Sequence, residues 1–147
     1  MLSYILVNNS SLNEQWIKQI AHLEQSIFNQ YEAYSESNLR SMYLDQEQYG
    51  FIIVLVDQDV AAYLIYLKTL DHNEIMKIAV KEQYRRNSLG TVLLDQLKQE
   101  NKTILLEVAA NNTIAINFYL KNGFIKDSVR KHYYANDVDA LLLSYKN

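Results

Sequence analysis

The order of its elements predicts an α/β (α+β) fold for this 147-residue chain, with seven strands and four helices. Two observations carry that reading: apolar residues recur at helical spacing in four segments, and β-branched and aromatic runs fill the spaces between them. A short strand, SYILVN, opens the chain. SLNEQWIKQIAHLEQSIF then places Leu12, Trp16, Ile17, Ile20, Leu23 and Ile27 on one helical face, with Ser10 or Ser11 as N-cap. SESNLRSMYL reads as a second, short helix capped by Ser35. YGFIIVLVD, VAAYLIYLKTL and EIMKIAV follow as three strands of a meander, divided by DQD and DHN, where Asp and Asn favour tight turns. SLGTVLLDQLKQEN is a helix with Leu89, Leu93, Leu94 and Leu97 on one face, and TILLEVA is a strand. NTIAINFYLKNG is a helix ended by Gly123 in the C′ position, and FIKDSVRKHYY and DALLLSYK are the last two strands.

Composition bounds the function. The length suits one domain over residues 1–147, and a hydrophobic content of 49% supplies a core. The longest apolar run, VAAYLIYL, is far short of a bilayer span, and the N-terminus MLSYILVNNSSL lacks a basic start and a small-residue cleavage site, so the cytoplasm is the expected location, with no membrane partner. With no cysteine there is neither disulfide framework nor thiol nucleophile. His22, His72 and His132 lie far apart without ligand spacing, so no metal site is expected. A net charge of −3 argues against direct nucleic-acid binding. Lys77, Lys81, Arg85 and Arg86 nevertheless fall within ten positions, which suits a small anionic ligand.

The stretch VKEQYRRNSLGTVLL concentrates that charge. A strand ending at Val80, a short loop and a helix starting near Ser88 present free N–H groups and the positive end of a helix dipole at one place, a setting that binds phosphate. Gly90 has two readings on spacing alone. It lets a phosphate approach the backbone, with Arg85 and Arg86 adding charge, or it relieves crowding between helix and sheet.

IAVKEQYRRNSLGTVLLDQL resembles the acetyl-CoA loop of the Gcn5-related N-acetyltransferase superfamily, whose pattern is Arg/Gln-x-x-Gly-x-Gly/Ala after the fourth strand. NNTIAINFYLKNGF is similar to its Asn-x-x-Ala-x-x-Phe/Leu-Tyr-x-x-x-Gly-Phe segment. IAV, LLEV, NNTIAINFY, NGF, the pair Tyr133 and Tyr134 and the pair Asp139 and Ala140 further resemble, in order, the RimI-type branch, which acetylates the N-terminal alanine of a bacterial small-subunit ribosomal protein. Three positions depart from the pattern. Ser88 replaces the first loop glycine, Ala33 and Tyr34 replace a Pro-Trp pair, and the turn ANDV lacks its usual glycine. The first bears on cofactor affinity and the others on the acceptor.

The resemblance implies a mixed, mostly antiparallel sheet and direct transfer from acetyl-CoA to an amine without a covalent enzyme intermediate, the favoured acceptor being a protein or peptide N-terminus such as that of a ribosomal protein. It implies Glu107 as general base, directly or through one water, and Tyr119 as general acid at the sulfur. Read alone, Glu107 is a solvent-facing residue at a strand end, and Tyr119 belongs to the core face formed with Ile116 and Leu120. The cofactor contacts implied are Ile78, Ala79 and Val80 along the pantetheine arm, Arg85, Arg86, Asn87, Ser88, Leu89, Gly90 and Thr91 at the phosphates, and Asn112 and Tyr119. The Val80 amide would polarise the thioester carbonyl. Asn112 caps its helix on either reading. Tyr34, Tyr133 and Tyr134 are the candidate acceptor contacts, the last two on opposite faces if their segment is a strand. Two alternatives remain, an enzyme of the same fold acting on a small amine or lysine side chain, and a non-catalytic acyl-CoA-binding module.

Overall fold

A computed structural model of the chain describes residues 2–8, 13–134 and 137–147. Among them, strands β1 (Ile5–Asn8), β2 (Tyr49–Val56), β3 (Asp59–Lys68), β4 (His72–Val80), β5 (Thr103–Ala109), β6 (Ile125–Tyr134) and β7 (Val138–Tyr145) form one sheet in the order β1-β2-β3-β4-β5-β7-β6. Neighbours are antiparallel except for the β4–β5 pair, which is parallel. Helices α1 (Glu14–Ile27), α2 (Glu36–Leu44), α3 (Leu89–Lys98) and α4 (Thr113–Lys121) complete the order read from the sequence.

The strand YGFIIVLV is apolar throughout because both of its faces are covered. Phe51, Ile53 and Leu55 join Ile17, Ile20, Leu23, Leu39 and Tyr43 of α1 and α2 in one cluster, while Ile52, Val54 and Val56 join Leu89, Leu93, Leu94 and Leu97 of α3 in the other. The four α3 leucines are the face that its spacing predicts.

Local chemistry sets the boundaries. Ser10, Ser11 and Leu12, assigned to the start of the first helix, lie outside the described residues; α1 is capped by Asn13, whose Oδ1 accepts from the N–H groups of Gln15 and Trp16 at 3.0 and 3.3 Å. Ser35 caps α2 as expected, its Oγ accepting from Asn38 N–H at 3.1 Å. The β2–β3 turn takes positive φ at Asp57 (48°) and Gln58 (67°), the twist that suits a two-residue hairpin. At the end of α4, Gly123 sits at φ 93°, and the N–H groups of Gly123 and Phe124 return to the carbonyls of Leu120 and Tyr119. That closure is the one the C′ glycine predicts. The turn residues Ala135 and Asn136 lie outside the described residues.

Candidate active site

A gap in the sheet creates the site. β4 and β5 pair only at His72–Glu74 with Thr103–Leu105, and beyond those residues the strands part. Met76 marks the bend: against β3, Ile65 faces Lys77 while Tyr66 faces Ile75, leaving Met76 as an extra residue in β4. Past the bulge, Lys81 N–H donates to Ala61 O at 2.8 Å, so the alternation of backbone groups turns those of Ile78 and Val80 away from β3 and into the gap.

Two hollows meet there. A groove of about 1150 Å³ runs from Val80 past the loop to α4, and a cavity of about 830 Å³ lies between β4, β5 and the α1–α2 loop. Phe28, Ile78, Asn112 and Ala115 line both.

The groove gathers most residues expected to hold acetyl-CoA: Ile78, Ala79 and Val80 on one side, and Arg85, Arg86, Ser88, Leu89, Gly90 and Thr91 with Asn112 around its end. Asn87 is not part of its wall; its amide donates to the carbonyls of Tyr84 and Arg85 at 3.0 and 3.2 Å and ties the loop to itself. Arg85 Nε donates to Val80 O at 3.2 Å, joining the loop to the end of β4. Arg86 and Ser88 adopt left-handed backbone at φ 69° and 58°. Ser88 stands at the N-cap of α3 yet makes no side-chain cap hydrogen bond, so the helix begins at Leu89 with its first N–H groups uncapped by that hydroxyl.

Gly90 has ordinary helical backbone. A Cβ there would come within 2.9 Å of Phe118 Cζ, so the crowding it relieves is between α3 and α4, not between helix and sheet. Phe118, Ile114 and Lys121 of α4 line the groove and were not singled out in the sequence; their recurrence at i, i+4 and i+7 is the available signal.

The basic cluster of the sequence divides in space. Arg85 and Arg86 line the groove, but Lys81 Nζ is paired with Asp59 at 2.9 Å, and Lys77 points into the other hollow toward Glu24. Strand alternation and the bulge at Met76 separate residues that are close in sequence.

Glu107 and Tyr119 line the cavity together. Glu107 is paired in the sheet with Leu142, and its carboxylate meets the Arg130 guanidinium of β6 at 3.1 Å. It is not the free solvent-facing residue of the isolated reading. Tyr119 is 6% exposed and has edge contacts with Phe118 and Phe124 at 5.2 and 5.4 Å. Burial raises its phenol above the usual range. The Gly123 closure fixes it, since Phe124 N–H donates to Tyr119 O at 3.1 Å. Asn112 caps α4, with Oδ1 accepting from Ala115 N–H at 3.2 Å, as expected on either reading.

Tyr34 and Tyr134 line the cavity, whereas Tyr133 does not. The expectation that Tyr133 and Tyr134 point to opposite faces fails. Their rings meet edge to face at 5.1 Å, because β6 breaks register between Arg130 and Tyr134 and His132 takes a φ of 53°. Tyr133 is instead half exposed, stacked under Arg130 at 4.9 Å. Burial first, then the charge of Glu107, pushes the Tyr134 phenol up. Glu32, also on the cavity wall, has its carboxylate held by Asn29 Nδ2 at 2.6 Å.

Comparison with known proteins agrees with this arrangement. The model of the Acetyltransferase (GNAT) family matches residues 17–124. An N-alpha-acetyltransferase of Sulfurisphaera tokodaii is 34% identical over 120 residues, covering 69% of this chain and 72% of its own. The ribosomal protein bS18 alanine N-acetyltransferase of Salmonella typhimurium is 34% identical over 93 residues, 60% of this chain and 63% of its own. The crystal structure of the Escherichia coli ribosomal-protein-S18-alanine N-acetyltransferase superposes with a TM-score of 0.77 at 29% identity, covering 96% of this chain and 93% of that one. With the family match spanning most of the chain, and with relatives that are N-acetyltransferases, this chain belongs to the GNAT acetyltransferase family and is an N-acetyltransferase.

Proposed function

We propose that residues 1–147 form one domain that transfers the acetyl group of acetyl-CoA to the α-amine of a protein N-terminus, alanine-first and ribosomal in the favoured case. The observation that carries this reading is the meeting of the groove and the cavity at the β4–β5 gap, with Glu107 and Tyr119 on the walls of one hollow. Acetyl-CoA supplies a thioester whose carbonyl carbon accepts a neutral amine. The groove fits it: the backbone of Ile78 and Val80 faces the gap, and Arg85, Arg86 and the start of α3 stand where phosphates need charge and N–H donors.

The chain's own groups then divide the work. Glu107 takes the proton that the amine sheds, and Arg130 holds the carboxylate at the cavity until the acceptor ammonium competes for it. The Val80 N–H stabilises charge on the carbonyl oxygen. As the carbon–nitrogen bond forms and the carbon–sulfur bond breaks, Tyr119 donates to the leaving sulfur. A phenol raised by burial stays protonated and remains a donor. Tyr34 and Tyr134 flank the entering peptide.

The test is a panel of peptides differing in the first residue, with an internal lysine and a blocked-terminus control, incubated with the protein and acetyl-CoA and mapped by mass spectrometry. Acetylation of the free terminus, strongest for an alanine-first ribosomal-type peptide and absent from the blocked one, is expected. Modification of lysine alone would refute the α-amine assignment.

A further inference from the structure

A buried ion pair reaches the wall of the acceptor cavity through Lys77, and the transfer chemistry does not use it. Glu24, in the last turn of α1, is fully buried, and the Lys77 side chain of β4 is 10% exposed; Nζ and Oε1 are 3.2 Å apart. The other contacts of both charges are specific. Glu24 accepts from the Tyr34 N–H at 2.9 Å and from the Tyr63 hydroxyl of β3. Lys77 Nζ donates to Glu32 O at 2.8 Å and lies over the rings of Phe28 and Tyr34, at 3.9 and 4.6 Å from their centroids.

The pair therefore grips the α1–α2 connection at three points, Phe28, Glu32 and Tyr34, all on the cavity wall. No regular helix or strand supports the residues between Ile27 and Glu36. A charge this deeply buried is costly when unpaired, so loop conformations that release Lys77 or Glu24 are disfavoured. Lys77 also directly precedes Ile78, whose backbone faces the donor groove.

We propose, on the reading of this cavity as the acceptor site, that Lys77 is a positioning residue: with Glu24 as its counter-charge it holds the 28–34 loop in the shape that receives the acceptor. Although Lys77 lines the cavity, its ammonium is already committed to Glu24, to Glu32 O and to two aromatic faces, so it acts through the loop. A loop that spends a tenth of its time in the competent shape weakens apparent acceptor binding roughly tenfold and leaves chemistry in the bound complex unchanged.

Three full-length variants test this, each checked first for cooperative melting: Lys77→Met, Lys77→Arg, and the double Glu24→Gln/Lys77→Met, which removes both charges and keeps the fold if the lone carboxylate in Lys77→Met does not. The acceptor-peptide KM should rise about tenfold in Lys77→Met and in the double variant, with kcat and the acetyl-CoA Kd within about twofold, and Lys77→Arg should recover most of the loss. Amide exchange should speed up in residues 29–34 and not in β5 or α4. Parent-like KM and parent-like exchange in a folded double variant would overturn the proposal, and so would collapse of both charge-removing variants, which would make the pair purely structural. Should the parent acetylate no peptide, the proposed acceptor fails, while the exchange measurement still decides whether Lys77 holds the loop.

Discussion

Ser88 occupies a backbone conformation that suits glycine, and replacing it gives a quantitative test. Its φ of 58° and ψ of 26° place it in the left-handed region, where an L side chain costs about 1–2 kcal/mol relative to glycine. Its hydroxyl makes no cap hydrogen bond, so Ser88→Gly sacrifices none. Against the relief stands the extra freedom that glycine gives the unfolded chain, about 0.5–1 kcal/mol. The difference is a net stabilisation of about 0–1.5 kcal/mol, which for a chain near this length corresponds to a rise in melting temperature of up to about 6 °C. Calorimetry of the ligand-free protein reads the shift, and isothermal titration with acetyl-CoA reads the second expectation, that affinity is equal or higher because the loop loses a side chain beside the groove. Ser88→Ala is the control. It keeps the strain and removes only the hydroxyl, so its melting temperature should match the parent's. A fall in melting temperature for Ser88→Gly, or an equal fall in both variants, would refute the strain argument and give the hydroxyl a stabilising contact.

Three further outcomes follow from the site. Glu107→Gln keeps the size of the side chain and removes its basicity, and turnover should drop by roughly 10²- to 10⁴-fold with the acetyl-CoA Kd unchanged; equal turnover in variant and parent would end its assignment as base. Tyr119→Phe should lower turnover by roughly 10²-fold or more in steady-state assays. It should also flatten part of the alkaline loss of stability: burial raises the phenols of Tyr119, Tyr63 and Tyr66, so the folded state keeps protons that the unfolded chain releases near pH 10, and this stabilisation is complete below about pH 10 and lost as pH climbs above it. An alkaline melting curve identical to the parent's would contradict that. Gly90→Ala drives a methyl to within 2.9 Å of the Phe118 ring, and the ring, being the yielding partner, should swing into the groove. Better helix propensity of about 1 kcal/mol offsets the clash, so stability should hold while acetyl-CoA affinity falls roughly tenfold, and the double variant Gly90→Ala/Phe118→Leu should regain it.

Much of this molecule was legible in the residues because the signals are local. Helical spacing in α1 and α3, the capping residues Ser35 and Asn112, and the closing Gly123 each specify an element through contacts a few residues apart, and the structure places them there. Glu107, Tyr119 and the loop from Arg85 to Thr91 are picked out by the resemblance of their motifs to the GNAT family, since spacing alone leaves Glu107 at a strand end and Tyr119 on a core face. Asn87 is the exception, since its amide finds partners within its own loop. The failures share one cause. The period of a regular strand puts Tyr133 and Tyr134 on opposite faces, and the register break between Arg130 and Tyr134, with His132 at positive φ, overrides that period. Proximity in sequence groups Lys77 with the arginines, but the bulge beside it at Met76 together with a counter-charge 53 positions away turns it into the other hollow.

By itself the sequence determined the element order, the capping residues Ser35 and Asn112 and the closing Gly123, because periodicity, caps and turn residues act over a few positions, while its candidates for acyl-transfer chemistry came from the resemblance of its motifs to the GNAT family. Only the tertiary structure decided that β4 and β5 separate after three paired positions, that the groove and cavity join across that gap, and that Arg130 and Lys77 are committed to Glu107 and Glu24. Those are contacts between residues distant in the chain, and no local pattern encodes which charged side chain will be buried beside which partner.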